Sequence, residues 1–344
     1  MAITCRDETE KDKKVLHIER LRWYGGLYEC TVRIEDYLTI VKGEVYKSDA
    51  FENDRRFLLD MHPVVVGADS IVANTLLERK LSGYVEFRPV DSHGIISNSL
   101  PRILPRSKEE VMLDPQFSLL EKRQIMKAIS NGGSLEGVST QVANLIRYGV
   151  CGLEGIHDVG NVKDSVQRYS NGLQRFGGKT ALLYPYGGSS SLVQAICRAS
   201  ALKGAVQMLN QCDLVLGGDS VKGSFDGVAW SVPVTRIIES PPVTPKYTRA
   251  TLILSDGGLF GDNGCNFWID PPSDTKPTLF LLQVDAASGC CPPGQLILYA
   301  WSLGLDMELL KSRLQVFVNI PYPDRHEKSP TAVDCSFASF HFGV

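Results

Sequence analysis

Short apolar segments separated by turn-forming residues dominate the hydrophobic pattern of this 344-residue chain. Residues 13–19, KKVLHIE, predict a short buried strand that ends in an acidic residue, and residues 56–60 predict a second strand. Residues 84–87, YVEF, alternate in polarity as a half-buried strand does. In the C-terminal third, Gly, Pro, Asp and Ser separate five more predicted strands: LVLGG, GVAWSVPV, ATLILSD, TLFLLQVD and GQLILYAW.

Helical periodicity is concentrated in the middle of the chain. Ser107–Glu110 and Ser118–Glu121 each fit a capping box, in which the serine hydroxyl accepts from the third helical amide and the glutamate reaches back. The second box opens a predicted helix over residues 118–129, with one broad apolar side formed by Leu119, Ile125, Met126 and Ile129. Further helices are predicted at residues 69–81, 138–149, 162–175 and 306–315.

This order of elements predicts a mixed α/β fold with two domains. Residues 1–106 and 176–344 are expected to form one large, discontinuous α/β domain. Residues 107–175 are expected to form a small helical domain inserted into it.

Composition excludes several classes of function. The net charge of −3 provides no bulk attraction to nucleic acid or anionic lipid. No apolar run is long enough for a transmembrane helix, and the charged N-terminus lacks the apolar stretch of a secretory signal, so we expect a cytosolic protein. The nine cysteines are odd in number and include no CxxC pair, which argues against a disulfide framework and against a metal site.

Residues 186–198, YGGSSSLVQAICR, have the small residues and the following helix of a phosphate-binding loop. A P-loop would end at Gly178–Thr180, but Leu173 stands where that motif requires glycine. Glu19 suits the ribose-binding acid of a dinucleotide fold, but no GxGxxG precedes it. GSSSL is not the nucleophile motif GxSxG, and Cys197 falls inside the predicted helix. We therefore expect no cofactor and no catalytic residue.

A helix over residues 191–203 would separate two faces. The serines ahead of it can serve as N-caps. Gln194 and Arg198, together with Ala201, fall on the outward face, where the first two are i, i+4 neighbours. An exposed guanidinium flanked by small residues suits a carboxylate on a partner, although a merely solvated arginine is an equal alternative. The inward face consists of Leu192, Val193, Ala195, Ile196, Ala199 and Leu202.

The stretch YGGSSSLVQAICRASALKGAVQMLN, residues 186–210, resembles a signature of the superfamily of Rab GDP-dissociation inhibitors and Rab escort proteins. The resemblance implies an FAD/NAD(P)-binding-like large domain of flavin-monooxygenase-like ancestry, a small helical domain and no flavin catalysis. Other segments follow in the order of the family: KKVLHIERLRWYGG, RRFLLD, SGYVEF, LLEKRQIMK, QRYSNGLQRFGGKTALLYPYGG, TRATLILSD and CCPPGQLILYAW.

The resemblance also implies a function, the binding of GDP-bound Rab GTPases. LLEKRQIMK, YVEF and the Cys-Pro-x-Gly segment that begins at Cys291 resemble the escort branch more than the inhibitor branch. An escort protein is the non-catalytic component A of Rab geranylgeranyltransferase. It presents the Rab to the α/β transferase heterodimer and delivers the Rab, with its geranylgeranyl group, to membranes, which it contacts only transiently. A Rab GDP-dissociation inhibitor and a flavin-dependent oxidoreductase are the alternatives.

Individual residues carry over where they match the family's motifs. Tyr24, Gln194, Arg198 and Met208 are the Rab-binding residues that the resemblance implies. Ser191 stands where the family has a glutamate, and a hydroxyl cannot supply a charge-assisted hydrogen bond. The family also begins with a strand and a glycine-rich turn ahead of KKVLHI. We therefore expect an N-terminally incomplete large domain, from an incomplete gene prediction or from a divergent product.

Overall fold

Helices and short strands are interspersed along the chain, which gives the mixed α/β fold that the hydrophobic pattern predicts. The computed structural model describes residues 2–19, 21–25, 30–48, 51, 55–130, 135–153, 162–209, 215–216, 220–225, 228–238, 247–255, 257–273, 276–320 and 332–342. Within these ranges, no helix is long and apolar enough to cross a membrane. The α-helices are α1 Ala2–Glu10, α2 Ile34–Ile40, α3 Ile71–Glu78, α4 Lys108–Leu113, α5 Leu119–Ser130, α6 Thr140–Asn144, α7 Val162–Gly172, α8 Ser190–Ala201 and α9 Met307–Leu314.

The strands are mostly short. Each of the strands predicted at residues 13–19 and 56–60 and in the C-terminal third is confirmed within a few residues of its predicted position. Residues 84–87 do not form the predicted strand: a 3₁₀ turn, Ser82–Tyr84, occupies its start, and only Phe87 enters a strand. The strands are β1 Leu16–Ile18, β2 Thr31–Arg33, β3 Gly43–Lys47, β4 Leu58–Asp60, β5 Val66–Gly67, β6 Phe87–Pro89, β7 Ser92–Ser97, β8 Leu100–Ile103, β9 Leu182–Pro185, β10 Val206–Met208, β11 Val215–Leu216, β12 Ser220–Phe225, β13 Val228–Pro233, β14 Tyr247–Leu254, β15 Asn266–Asp270, β16 Leu279–Val284, β17 Leu296–Leu303, β18 Val318–Asn319 and β19 Val333–Phe342.

A nine-stranded sheet forms the centre of the molecule, in the order β18-β19-β14-β17-β16-β15-β7-β8, with β3 also paired to β19. Its pairings are antiparallel except for β15–β7 and β18–β19. Every residue of β16 is buried, because both faces of the sheet are covered. A strand covered on both faces is continuously apolar rather than alternating, as TLFLLQVD is.

Different helices cover the two faces of this sheet. On one face, Val111 of α4, Ile125 of α5 and Val142 of α6 join a core cluster with strand residues such as Phe267 and Leu282. On the other face, α9 packs Leu310 and Leu314 against alternate residues of the same strands. The predicted helical region therefore packs directly on the sheet.

Two helices of this region begin as their sequences predict. Ser107 accepts from the Glu110 amide, and Ser118 and Glu121 make the reciprocal bonds of a complete capping box. The broad apolar side predicted for α5 is wrong, since Leu119 is 75% exposed and Ile129 is 39% exposed. The buried side of α5 is narrower and includes Glu121, whose carboxylate is satisfied by the capping box and by Arg102.

A smaller layer surrounds α8. The parallel pair β1–β10 and the three-stranded sheet β5-β9-β6 flank the helix in sequence, and α1 packs along it. Glycine at position 188 and the loop around it link β9 to the start of α8. This layer contains residues that are predicted from the sequence to form a binding site.

Candidate functional site

Helix α8 has one buried side and one exposed side. Val193, Ala195, Ile196 and Ala199 are buried, as the helical count predicts. Ala195, Ile196 and Ala199 belong to one core cluster with Leu76 of α3, Leu81 and Val85. The inward position predicted for Leu202 is wrong: this side chain is 68% exposed, because it lies at the end of the helix and at the edge of the apolar side, next to Arg198.

The exposed side of α8 presents Gln194 and Arg198, as predicted. The Gln194 amide donates to the Ser190 hydroxyl at 3.1 Å, one helical turn earlier. Arg198 makes no ion pair and no side-chain hydrogen bond with the part of the chain that the structure describes. Its guanidinium is therefore available for a partner's carboxylate.

The start of α8 is capped by side chains that lie far away in the sequence. The buried carboxylate of Asp60, at the end of β4, accepts from the Ser189 amide at 2.9 Å. The Thr31 hydroxyl of β2 accepts from the Ser190 amide at 3.0 Å. These two bonds satisfy first-turn amides that a helix leaves unpaired. The prediction that the local serines cap the helix is therefore wrong.

Asp60 accepts four hydrogen bonds in all. Besides the Ser189 amide, its donors are the hydroxyls of Thr31, Tyr184 and Ser189. The Thr31 and Ser189 hydroxyl oxygens already accept from the amides of Ser190 and Val64, so each directs its own proton to Asp60. Burial raises the pKa of the Asp60 carboxyl above its ordinary value, and the four hydrogen bonds counteract that rise.

The loop ahead of α8 has the small residues of a phosphate cradle because a carboxylate fills it. Gly188 has a φ of +95°, and a Cβ placed there would lie 2.4 Å from the Thr31 hydroxyl oxygen and 2.7 Å from an Asp60 carboxylate oxygen. Only glycine combines this backbone conformation with so close an approach. The anion at this helix N-terminus is supplied by the protein itself, and a phosphate at the same place would be repelled by it.

The second half of α8 is tied to the first residues of the chain. Arg6 of α1 donates to the Ala199 carbonyl at 3.0 Å, and Gln207 of β10 donates to the Cys197 carbonyl. Cationic and amide donors suit the carbonyl-rich end of a helix. The helix is therefore fixed at both ends, with its outer face left open.

Tyr24 and Met208, the two remaining predicted residues, are both half-buried. Burial raises the pKa of Tyr24, and the nearby Cys197 of α8 adds to the rise. Met208 ends β10, and its carbonyl accepts from the Glu19 amide at 2.8 Å. The structure thus brings Tyr24 to the middle of α8 and places Met208 on the strand that follows the helix.

Ser191 lies at the start of α8 and is half-buried. Its hydroxyl donates to the Tyr186 carbonyl at 2.6 Å, so its proton is already used within the loop. The side chain offers a partner only a neutral acceptor, where the family that the sequence resembles has a carboxylate.

Covalent chemistry is disfavoured at this site. Cys197 is buried, and burial raises the pKa of its thiol to about 12, so it is protonated at neutral pH. His17 lies 3.7 Å from this thiol, and burial lowers the pKa of His17, so the imidazole is neutral. The eight cysteines within the described ranges are all buried free thiols.

Known proteins are similar to this chain in sequence. A family model described as GDP dissociation inhibitor matches residues 8–131. A Drosophila melanogaster protein named Rab proteins geranylgeranyltransferase component A is 23% identical over 294 residues, which are 74% of this chain and 57% of that protein. A Schizosaccharomyces pombe protein named probable secretory pathway GDP dissociation inhibitor 1 is 26% identical over 322 residues, covering 82% and 73%.

The fold is similar to a solved one as well. The crystal structure of a Rab GDI from Plasmodium falciparum superposes with a TM-score of 0.71 at 17% identity, covering 99% of this chain and 86% of that one. The chain is thus similar both to a protein named Rab proteins geranylgeranyltransferase component A and to a protein named as a GDP dissociation inhibitor. The chain spans just over half the length of the first curated relatives it matches.

Proposed function

We propose that this protein binds GDP-bound Rab GTPases through the exposed face of α8, with Arg198 as the main contact. The observation that carries the proposal is a helix fixed at both ends whose outer face presents an arginine with no partner in the described part of the chain. Buried arginine contacts at protein interfaces are enriched among the residues that contribute most to affinity. Gln194, Tyr24, Met208 and Ser191 complete the proposed surface.

We further propose an escort role within this superfamily. The protein would act in the cytosol as a non-catalytic accessory factor, present the Rab to the geranylgeranyltransferase heterodimer and deliver the geranylgeranylated product to membranes. The escort-like segments LLEKRQIMK, YVEF and Cys291–Gly294 support this reading. A GDP-dissociation inhibitor is the second candidate, because the relatives of both kinds have similar identities.

The proposed helical domain, residues 107–175, offers a surface for the transferase. Helices α4 and α5 are linked by Lys122, which donates to the Met112 carbonyl at 2.6 Å. Four large apolar side chains of these two helices are exposed, and exposed apolar groups often mark protein contacts. They are Met112, Leu113, Leu119 and Leu120, which are 55%, 81%, 75% and 64% exposed.

The Arg198→Ala variant tests the binding surface. We expect its affinity for a GDP-loaded Rab GTPase, measured by calorimetry, to fall by about tenfold or more, because a charge-assisted contact is lost. Arg236→Ala is the matched control, since Arg236 is an exposed arginine outside α8. Equal affinities of the Arg198→Ala variant and the parent would refute the assignment of this surface.

A reconstituted prenylation assay separates the candidate functions. Purified transferase, a Rab and geranylgeranyl diphosphate are combined with and without this protein, and prenyl incorporation is measured. Incorporation above the control without this protein supports the escort role. No added incorporation, with extraction of prenylated Rab from membranes intact, supports the inhibitor role. Visible flavin absorbance in the purified protein would instead support the oxidoreductase.

A further inference from the structure

Asp60 lies where five elements of the fold meet. It ends β4, and its carboxylate is contacted from β2 by Thr31, from β9 by Tyr184 and from α8 by Ser189. Its own amide donates to the Tyr299 hydroxyl of β17 at 2.8 Å. One buried residue therefore connects the start of α8 to β2 and β9 through its carboxylate, and to the central sheet through its amide.

Stability alone does not account for a charge in this position. Replacing a buried charge by an apolar residue of similar volume often leaves the stability of a protein unchanged, because the buried charge has lost its hydration. Among the ion pairs of the described residues none involves Asp60, so hydroxyls, one amide and the helix N-terminus are what compensate the carboxylate. The groups around the Asp60 carboxylate are therefore those that surround a bound anion rather than those that surround an apolar core residue.

We propose that Asp60 is the positioning residue of the α8 binding surface, an internal anion that fixes the start of the helix and so the presentation of Ser191 and Gln194. The role rests on the proposed function of that surface. Contact residues need placement within about 0.5 Å to be effective, and hydrogen bonds from supporting residues provide it. Arg6 holds the other end of α8 through the Ala199 carbonyl, so loss of Asp60 would leave only the first turns free to move.

Replacement of Asp60 by alanine, followed by chemical rescue, tests this role. Asp60→Ala leaves a cavity facing the Ser189 amide and the hydroxyls of Thr31, Ser189 and Tyr184, all of which point a proton into it. Formate matches the missing carboxylate, and formamide is a neutral molecule of the same size. We expect about tenfold weaker binding of a GDP-loaded Rab GTPase in Asp60→Ala, comparable to the loss of a helix cap. Formate should restore the affinity and formamide should not.

A second variant serves if Asp60→Ala does not fold. Thr31→Val keeps the shape of the side chain but removes the hydroxyl that bridges the Ser190 amide and Asp60. It should weaken Rab binding several-fold with the secondary structure intact. Leu310→Ala, in the fully buried face of α9, is the control for general destabilisation. Any one of three outcomes would overturn the proposal. They are an unchanged Rab affinity in both Asp60→Ala and Thr31→Val, an equal loss of Rab affinity in Leu310→Ala, and rescue of Asp60→Ala by formamide.

Hydrogen exchange of the free protein distinguishes this proposal from the proposed function. Asp60→Ala should raise amide exchange in residues 187–195 but not in residues 196–202, and formate should restore the protection. If the parent binds no Rab but this exchange pattern is found, the Rab assignment fails while the anchoring of α8 by Asp60 stands. If Rab binds through Arg198 and the exchange of residues 187–195 is unchanged, the positioning role fails alone.

Discussion

His93 lies in the core between the rings of Tyr169 and Phe267 and is fully buried. Its Nδ1 is 3.4 Å from the Tyr169 hydroxyl oxygen, and its Nε2 has no hydrogen-bond partner among the residues described. Burial lowers the pKa of His93 to about 3. The imidazole is therefore neutral in the folded protein over a range of pH in which an unfolded chain would bind a proton.

The His93→Phe variant should flatten the acid side of the stability profile. An unfolded histidine titrates near pH 6.5, as an approximate reference, and the folded one only near 3, so acid favours the unfolded state between those values. The free energy of unfolding of the parent should fall about 1.4 kcal/mol more per pH unit than that of the variant in this range. Parallel profiles in urea unfolding experiments at several pH values would contradict the shifted pKa.

The residues of α8 were predictable to different degrees. A helical count places Gln194 and Arg198 outside, because burial within one helix follows its period. Asp60 and Thr31 carry no such signal, since they are 129 and 159 residues from the amides that they cap. The assignment of Tyr24, Gln194, Arg198, Met208 and Ser191 to Rab binding stays a prediction.

At the scale of elements, the turn into α8 depends on one close approach. Gly188 and Gly204, on either side of the helix, have φ values of +95° and +94°. A Cβ at Gly188 would collide with Thr31 and Asp60, whereas nothing lies within 4 Å of one at Gly204. The two positions therefore share the backbone requirement and differ only in the space around them.

The pair Gly188→Ala and Gly204→Ala separates these two effects. Both variants should lose about 1–2 kcal/mol of unfolding free energy, because alanine is strained at this φ. Gly188→Ala should lose about 1–3 kcal/mol more, because the methyl group also displaces Thr31 and Asp60. Chemical denaturation measures both, and equal losses would show that the loop can move away from the carboxylate.

Element prediction failed where polar residues are buried. Helix α1 was not predicted, because the residues it buries are Cys5, Arg6 and Thr9, which leave no apolar period. In α5 the buried Glu121 replaced part of the expected apolar side. The continuously apolar strands β14, β16 and β17 were predicted, since both of their faces are covered and no alternation is needed.

At the scale of the whole molecule, a polar network joins the end of α7 to the start of α3. Arg175 donates to the Ala68 carbonyl at 2.9 Å and pairs with Asp69 at 2.8 Å. Asn171 of α7 also donates to Asp69, at 3.0 Å. Hydrogen bonds from Asn171 and Asn74, with the charge of Arg175, lower the pKa of Asp69. The network connects the proposed helical domain to the proposed large domain.

Arg175→Ala should loosen this connection without unfolding either part. The network is partly exposed, so the expected loss of unfolding free energy is only about 1 kcal/mol. Amide exchange should rise in residues 162–175 and at the start of α3. Lys163→Ala, an exposed position on α7, is the control. Unchanged exchange in Arg175→Ala would mean that apolar packing alone holds the two parts together.

The overall class was predictable, but the connectivity was not. The order of apolar segments indicates a mixed α/β fold, which the structure confirms. The pairing of β7 with β15, strands about 170 residues apart, follows from packing between distant segments and has no local signal in the sequence. The boundaries of the two domains stay a prediction for the same reason.

The buried thiols have a practical consequence for spectroscopy. Maleimide reagents attack thiolates that they can reach, and the eight described cysteines are out of reach. Once Cys212, which lies outside the described residues, is replaced by serine, a cysteine introduced at the exposed Ala201 would be a selective attachment point for a fluorophore. Such a dye, one turn from Arg198, would report partner arrival in real time without altering the side chains proposed to make the contact.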